Sequence, residues 1–389
     1  MKRNKPWWLG LVIVFAGCSV QGSDGWARQK TENVVLVMID GLRWQEVFQG
    51  ADDGLLNKGR GGVADPEVVY KKYWRATQSG RREALMPFTW SVIAQQGQLF
   101  GNRLKGSEAR VTNGLSFSYP GYSEALCGFA DSRVYSNSKI NNANVSVLEW
   151  LNRKPEFENR IAAFTSWDVF PYILNSKRSG LLVNSGNQII EGLNDALEMR
   201  ELNQRIVETR LATGNETRSD DLTFQAAHLY LKEKKPRVLF VCFDEADEQG
   251  HAGRYDLLLD AAHQADAFVK FLWETMQAMP EYRNKTTLII LPDHGRGHGP
   301  TDWKNHGALA AESEFVWMGF VGPDTPALGE RQNVERLAEN QLAATIAAFL
   351  GFDYCAEVPR AGKPIAEVLK PAKENGTTAT LSKRLQESD

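Results

Sequence analysis

Residues 287–307 read TLIILPDHGRGHGPTDWKNHG, and the rest of the chain is read outward from them. The apolar, partly β-branched run Leu288-Ile289-Ile290-Leu291 has the length and character of a buried strand. It passes through Pro292 into Asp293 and His294. Gly295, Gly297, Gly299 and Pro300 then shape a loop that ends at His306. Three of the six histidines of the chain fall in this stretch. A carboxylate beside an imidazole at a strand end combines a hard oxygen with a borderline nitrogen donor, a pairing that suits zinc or manganese. The plainer alternative is a polar loop capping a sheet, its histidines bonded to backbone.

Two further strand ends weigh against that alternative. Val34–Ile39 is a continuous apolar run ending in Asp40-Gly41, and 237–243 (RVLFVCF) ends in Asp244-Glu-Ala-Asp247-Glu-Gln-Gly-His251. Both have the pattern of strands covered on two faces. Between them the periodicity predicts helices over 87–96, 146–153, 193–211, 220–234, 255–279 and 334–350. It predicts strands over 161–165, 181–183 and 315–320. Residues 50–66, rich in Gly and Asp, read as an exposed loop, and 113–124 as a turn-rich stretch carrying several hydroxyls. Alternating strands and helices imply an α/β fold with a mostly parallel, doubly wound central sheet and helices on both faces. Ligands of such sheets bind outside the carboxyl ends of the strands. That rule would gather Asp40, Asp247, His251, Asp293, His294 and His306 on one edge. Six protein ligands exceed the need of one catalytic ion and match two ions with three ligands each.

The order of these motifs resembles the alkaline phosphatase superfamily, and within it the type I phosphodiesterase/nucleotide pyrophosphatase branch. The resemblance rests on Val37-Met-Ile-Asp40-Gly, Ser118-Tyr-Pro120-Gly-Tyr, Asp247-Glu-Gln-Gly-His251 and Asp293-His294-Gly295, and covers about residues 33 to 355. It implies an alkaline-phosphatase-like catalytic domain over 33–370 that hydrolyses phosphate esters at a site of two divalent ions, Zn2+ or Mn2+. Asp40, Asp293 and His294 resemble the ligands of one ion, with Ser118 as both nucleophile and fourth ligand. Asp247, His251 and His306 resemble those of the other. Asn137 resembles the amide that steadies a phosphoryl oxygen. Two departures stand out. Ser118 replaces the usual Thr, and His306 follows His294 by only twelve residues where the branch has its last histidine far downstream. His298 is therefore the alternative to His306. Arg296, Lys304 and Asn113 could meet substrate oxygens, and Trp44, Tyr122, Trp167 and Phe170 could stack a base. His228 and His263 read as ordinary packed residues.

The sulfatase branch is the nearest rival, along with phosphonate hydrolysis. Its Cys/Ser-x-Pro-x-Arg motif requires arginine where this chain has Tyr122, so the signal for formylglycine maturation is broken. From another class, the chain could be an inactive metal-binding surface lipoprotein. Composition narrows the partners. With 42% hydrophobic residues and a formal net charge of −3, the chain has no excess of basic residues for nucleic-acid binding, and its expected partner is a small-molecule phosphate ester. Residues 1–22 read as an export leader: Lys2, Arg3 and Lys5 precede a short apolar run. Phe15-Ala-Gly-Cys18 resembles a bacterial lipobox, with Phe15 where Leu is usual. The expected location is the bacterial periplasm or cell envelope, with membrane contact only through a lipid on Cys18. Residues 23–32 read as a linker and 371–389 as a polar tail. Cys127, Cys242 and Cys355 allow at most one internal disulfide.

Overall fold

Every residue of the first strand, β1 (Asn33–Ile39), is buried, because the strand is covered on both faces. Val35, Val37 and Ile39 enter one apolar core with the helices Tyr255–Ala278 and Asp220–Lys234. Val34, Leu36 and Met38 enter a second core with the helices Ser118–Cys127, Val147–Asn152 and Leu342–Phe349. This alternation is the period-two geometry of a strand. Each fully buried Val, Leu, Ile or Phe contributes about 1.5–3 kcal/mol over exposure. The computed structural model describes residues 29–193, 197–214 and 216–369. The leader and tail, with their lipobox, lie outside the described residues. So does most of the linker, although Thr31 at its end is pinned by its backbone N–H and hydroxyl to Asp324 Oδ2.

The other strands are β2 (Gln98–Phe100), β3 (Ala109–Arg110), β4 (Ile161–Thr165), β5 (Leu182–Ser185) and β6 (Val238–Phe243). After them come β7 (Thr286–Leu291), β8 (Phe315–Val316), β9 (Met318–Val321), β10 (Gly329–Glu330) and β11 (Leu337–Ala338). Eight form the main sheet in the order β10-β2-β9-β7-β1-β6-β4-β5, and β11-β3-β8 form a small one. In the main sheet only β9 runs antiparallel to its neighbours. The expected α/β architecture is therefore observed. β1 lies between β7 and β6, with Ile39 beside Phe243 and Met38 beside Leu291. That register brings the three acidic strand ends side by side.

The structure departs from the sequence reading in four places. The single strand expected over 315–320 is two, because Phe315 and Val316 pair with β3 before Met318 joins the main sheet. The helix expected over 334–350 starts only at Leu342, since Leu337 and Ala338 pair with β3. The loop 50–66 is not simply exposed: Ala51, Leu55, Leu56 and Val63 are buried in the first core. The turn-rich stretch becomes a helix from Ser118 to Cys127. Pro120 fits in its first turn, where the missing N–H has no helical partner anyway. Among the described residues no helix is long and apolar enough to cross a membrane, and Cys127, Cys242 and Cys355 are all free thiols.

Gly121 sets the height of that helix above the sheet. A Cβ there would stand 2.2 Å from the carbonyl oxygen of Asp293, so only glycine allows the helix to rest on the end of β7. Gly121→Ala should therefore lower unfolding stability by about 1–3 kcal/mol, the usual cost of overpacking, as read from the urea midpoint at unchanged m. Wild-type stability in this variant would mean that the helix is not seated on the strand end.

Candidate metal centre

Asp40 and Asp293 end neighbouring strands, and both are buried, at 1% and 0% exposure. Each carboxylate is held at one oxygen. The Tyr122 hydroxyl donates to Asp40 Oδ2 at 2.7 Å, and the Gly41 N–H donates to Asp293 Oδ1 at 3.2 Å. Asp40 Oδ1 and Asp293 Oδ2 are left without a hydrogen bond. His294 stands over them, its Nε2 3.2 Å from Asp40 Oδ1 and 3.6 Å from Asp293 Oδ2. Ser118 Oγ lies 3.4 Å from the same nitrogen. The Nδ1–H of His294 donates to the Gly295 carbonyl at 2.8 Å, which turns Nε2 toward the carboxylates.

These spacings test whether a metal fits. Around a tetrahedral ion with bonds of about 2.0–2.2 Å, neighbouring ligand atoms stand roughly 3.3–3.6 Å apart. The three distances from His294 Nε2 lie in or next to that range. Two buried carboxylate oxygens without donors are also what a cation site requires and a hydrogen-bonded cap does not. Burial, then the charge of Asp40, raises the Asp293 carboxyl well above the ordinary range. For His294 burial, the largest single influence, works downward, but the carboxylates of Asp40 and Asp247 and the Gly295 carbonyl together outweigh it and the pKa rises.

A second group lies beside the first. His251 Nε2 is 3.1 Å from Asp247 Oδ2 and 2.9 Å from His306 Nε2. His306 stacks on His294 with ring centroids 4.1 Å apart, and its Nδ1–H donates to the Ser116 carbonyl at 3.2 Å. Burial, then the neighbouring His294, lowers the His306 pKa to about 3, so its ring is neutral and able to bind a cation. Asp247, His294 and His306 form one cluster with metal-ligand spacing and Asp40, Asp293 and His294 another. Five of the six residues that the sequence assigned to one sheet edge fall in these clusters, His294 in both; His251 stands outside them but meets Asp247 and His306, and Ser118 lies beside His294. His298 does not join them: its side chain is 60% exposed and its nearest acidic atom is Glu312 Oε2, 3.8 Å away.

Other expectations fare differently. Asn137 is exposed, and its Oδ1 accepts the Tyr119 N–H at 3.0 Å, tying it to the residue after Ser118. Arg296 is not a free substrate contact but is buried against Asp247. Asn113 is bonded to Glu124. Trp44, Tyr122 and Phe170 are buried packing residues, which leaves Trp167 half-exposed. His228 and His263 bond to Thr275 and to the Leu85 carbonyl, away from the centre. Sequence reasoning missed Tyr122 as the donor that orients Asp40, and Cys242, whose thiol donates to the Tyr122 oxygen at 3.0 Å. A helical reading of 118–127 would have found the tyrosine, because positions i and i+4 share a face.

The fold is the α/β architecture of the alkaline phosphatase superfamily of hydrolases, as the family match shows. The family profile of type I phosphodiesterase / nucleotide pyrophosphatase matches residues 63–320, and the chain belongs to that family. Asp40 precedes the matched stretch, so its place rests on the geometry above. Among solved structures, alkaline phosphatase PafA is similar with a TM-score of 0.53 and 11% identity, over 89% of this chain and 100% of that one. A putative sulfatase from Bacteroides thetaiotaomicron gives 0.53 at 13% identity, over 89% and 76%. The lipoteichoic acid synthase LtaP from Listeria monocytogenes gives 0.52 at 11%, over 83% and 72%. These likenesses establish the fold. No curated protein matches the chain in sequence.

Two substitutions test the ligand geometry. His306→Ala should remove bound metal, whereas His298→Ala should leave metal content unchanged, both read by elemental analysis of purified protein. Tyr122→Phe should fold but bind metal about 10–100-fold more weakly, the usual loss when a ligand's orienting partner is removed. Equal metal content in the His306 and parent proteins would exclude His306 as a ligand.

Proposed function

We propose that the chain is a metal-dependent phosphoric ester hydrolase in which Ser118 is the nucleophile. One observation carries this reading: Ser118 Oγ, the first residue of its helix, sits 3.4 Å from His294 Nε2, above two carboxylate oxygens that have no donor. Asp40, Asp293 and His294 would hold one divalent ion together with Ser118, and Asp247, His251 and His306 a second. The bound ions would supply the positive charge that lowers the pKa of the serine hydroxyl and neutralises the phosphoryl oxygens.

The chain's own part is positional and electrostatic. The helix beginning at Ser118 places the positive end of its dipole at the attacking oxygen. Asn137 holds the next peptide N–H and so fixes the first turn. Ser118 Oγ would bond to phosphorus as the bond to the ester oxygen breaks, the serine's proton ending on the departing alcohol, and give a phosphoserine or, from a diester, its monoester. Water would then cleave that P–O bond, releasing phosphate or a phosphomonoester and restoring the hydroxyl. Tyr122 stands where the sulfatase motif needs arginine, and its hydroxyl is committed to Asp40, which favours phosphate over sulfate esters. The leader supports an exported protein anchored through a lipid on Cys18, with one catalytic domain following it.

Ser118→Ala should reduce turnover of a chromogenic phosphodiester or phosphomonoester by about 10⁴–10⁶-fold while metal content stays at the parent level. Chelation should abolish activity and zinc or manganese restore it. Ser116→Ala should retain most activity, since the serine's carbonyl, not its hydroxyl, meets His306. If Ser118→Ala remains active, the covalent route is wrong. If the parent cleaves a sulfate ester faster than any phosphate ester, the substrate class is wrong.

A further inference from the structure

We infer that Arg296 is a positioning residue that assembles the Asp247–His251–His306 group, the weaker of the two cation sites. This rests on the two-ion reading above. Arg296 is 1% exposed, and its guanidinium is used on every side. Nη1 donates to Asp247 Oδ1, Nη2 to the Lys304 carbonyl, and Nε to the Trp303 carbonyl at 3.2 Å. Two glycines shape its enclosure. A Cβ on Gly250 would lie 2.7 Å from both Cζ and Nε, so the helix Glu245–His251 rests directly on the guanidinium. A Cβ on Gly41 would lie 2.4 Å from Asp247 Oδ1 and 3.1 Å from Nη1. This gives the glycine of Asp247-x-x-Gly250-His251 a physical reason: it leaves room for Arg296.

Two consequences follow from one side chain. The first is positional. By holding Asp247 Oδ1, Arg296 leaves Oδ2 to the His251 side. By holding the carbonyls of 303 and 304, it fixes the backbone that reaches His306 two residues later. The Gly297 N–H donates to the Asn305 carbonyl at 2.8 Å and closes the neck of the same loop. One guanidinium therefore ties together two elements that carry ligands and are far apart in the chain. The second consequence is electrostatic. The Asp40–Asp293–His294 group offers a cation two carboxylates, neither of them ion-paired with an arginine among the described residues. The Asp247 group offers one carboxylate, its charge offset by Arg296, and two imidazoles. Charge count alone makes the first group bind tightly and the second weakly, so loading is stepwise. Each nitrogen of Arg296 is already bonded to the protein, which holds the guanidinium in place.

The experiment is zinc titration of chelator-stripped full-length protein, read by calorimetry and by competition with a chromogenic chelator. Activity is not the readout. The parent should show a tight and a weak class of site, one ion each. Arg296→Met should weaken the second class by about 10–100-fold and leave the first within about twofold of the parent. Arg296→Lys should recover part of the loss, because an ammonium can reach the carboxylate or a carbonyl but lacks the planar fork. Gly250→Ala, which displaces the guanidinium without removing its charge, should weaken the second class as well and provides the test if Arg296→Met does not fold. An unchanged second class in these variants overturns the inference. So does weakening of both classes together, which is a general structural effect, or a tighter second class in Arg296→Met, which is charge without positioning. If the parent binds no zinc, or only one ion, it is the two-ion reading that fails, and this outcome is recognisable before any variant is made.

Discussion

Two carboxylate oxygens, Asp40 Oδ1 and Asp293 Oδ2, are buried together at the end of a parallel sheet with no hydrogen-bond donor. Removing a carboxylate from water costs several kcal/mol unless a proton, a donor or a cation compensates it. The residues around this pair each supply a share. The Tyr122 hydroxyl and the Gly41 N–H take the outer oxygens, and His294 covers the inner ones. The helix starting at Ser118 brings its positive end. What remains uncompensated is a place for a cation, and the hydroxyl of Ser118 borders it. The seat of Gly121 on the Asp293 carbonyl, the thiol of Cys242 behind Tyr122 and the tautomer of His294 all serve that arrangement.

The strand ends were legible in the sequence because β1, β6 and β7 are buried on both faces and so read as unbroken apolar runs. Once those runs are strands of one parallel sheet, the acidic residues after them must share an edge. The helices over 220–234 and 255–278 were equally legible, being long and bounded. The helix from Ser118 was not. Its proline and glycine read as turn signals, and only a tertiary contact, the close approach of Gly121 to Asp293, explains them. The strand pairing of 315–316 and 337–338 with β3 was hidden for the same reason: two-residue ladders are chosen by their partners. Arg296 looked like one more basic residue in a loop. Its partner Asp247 lies on a separate helix, and no local spacing reports a pair of that kind. The sequence favoured His306 and kept His298 as its alternative. The stacking on His294 separates them.

The fold tolerates wide divergence. PafA and the putative sulfatase from Bacteroides thetaiotaomicron share 11% and 13% identity with this chain, yet each match covers 89% of it. A sheet buried on both faces accepts many apolar side chains of suitable volume. The edge residues, by contrast, are held at fixed heights by close contacts such as that of Gly121 with the Asp293 carbonyl. Tyr122 illustrates the difference. It occupies the fifth place of the Ser118 motif, where the sulfatase pattern has arginine, and it is spent on orienting a ligand rather than on maturation.

The single antiparallel strand, β9, has a consequence for how the second ligand group can vary. Because β9 starts where β7 ends, the segment between them leaves and re-enters the sheet at the same edge, and a parallel return would need a crossover to the far edge. It is a closed loop on a fixed base. Closing a flexible loop costs only about 0.6 kcal/mol more for each doubling of its length. Residues can therefore be inserted between the ligand histidines and β9 without moving the histidines or much destabilising the sheet.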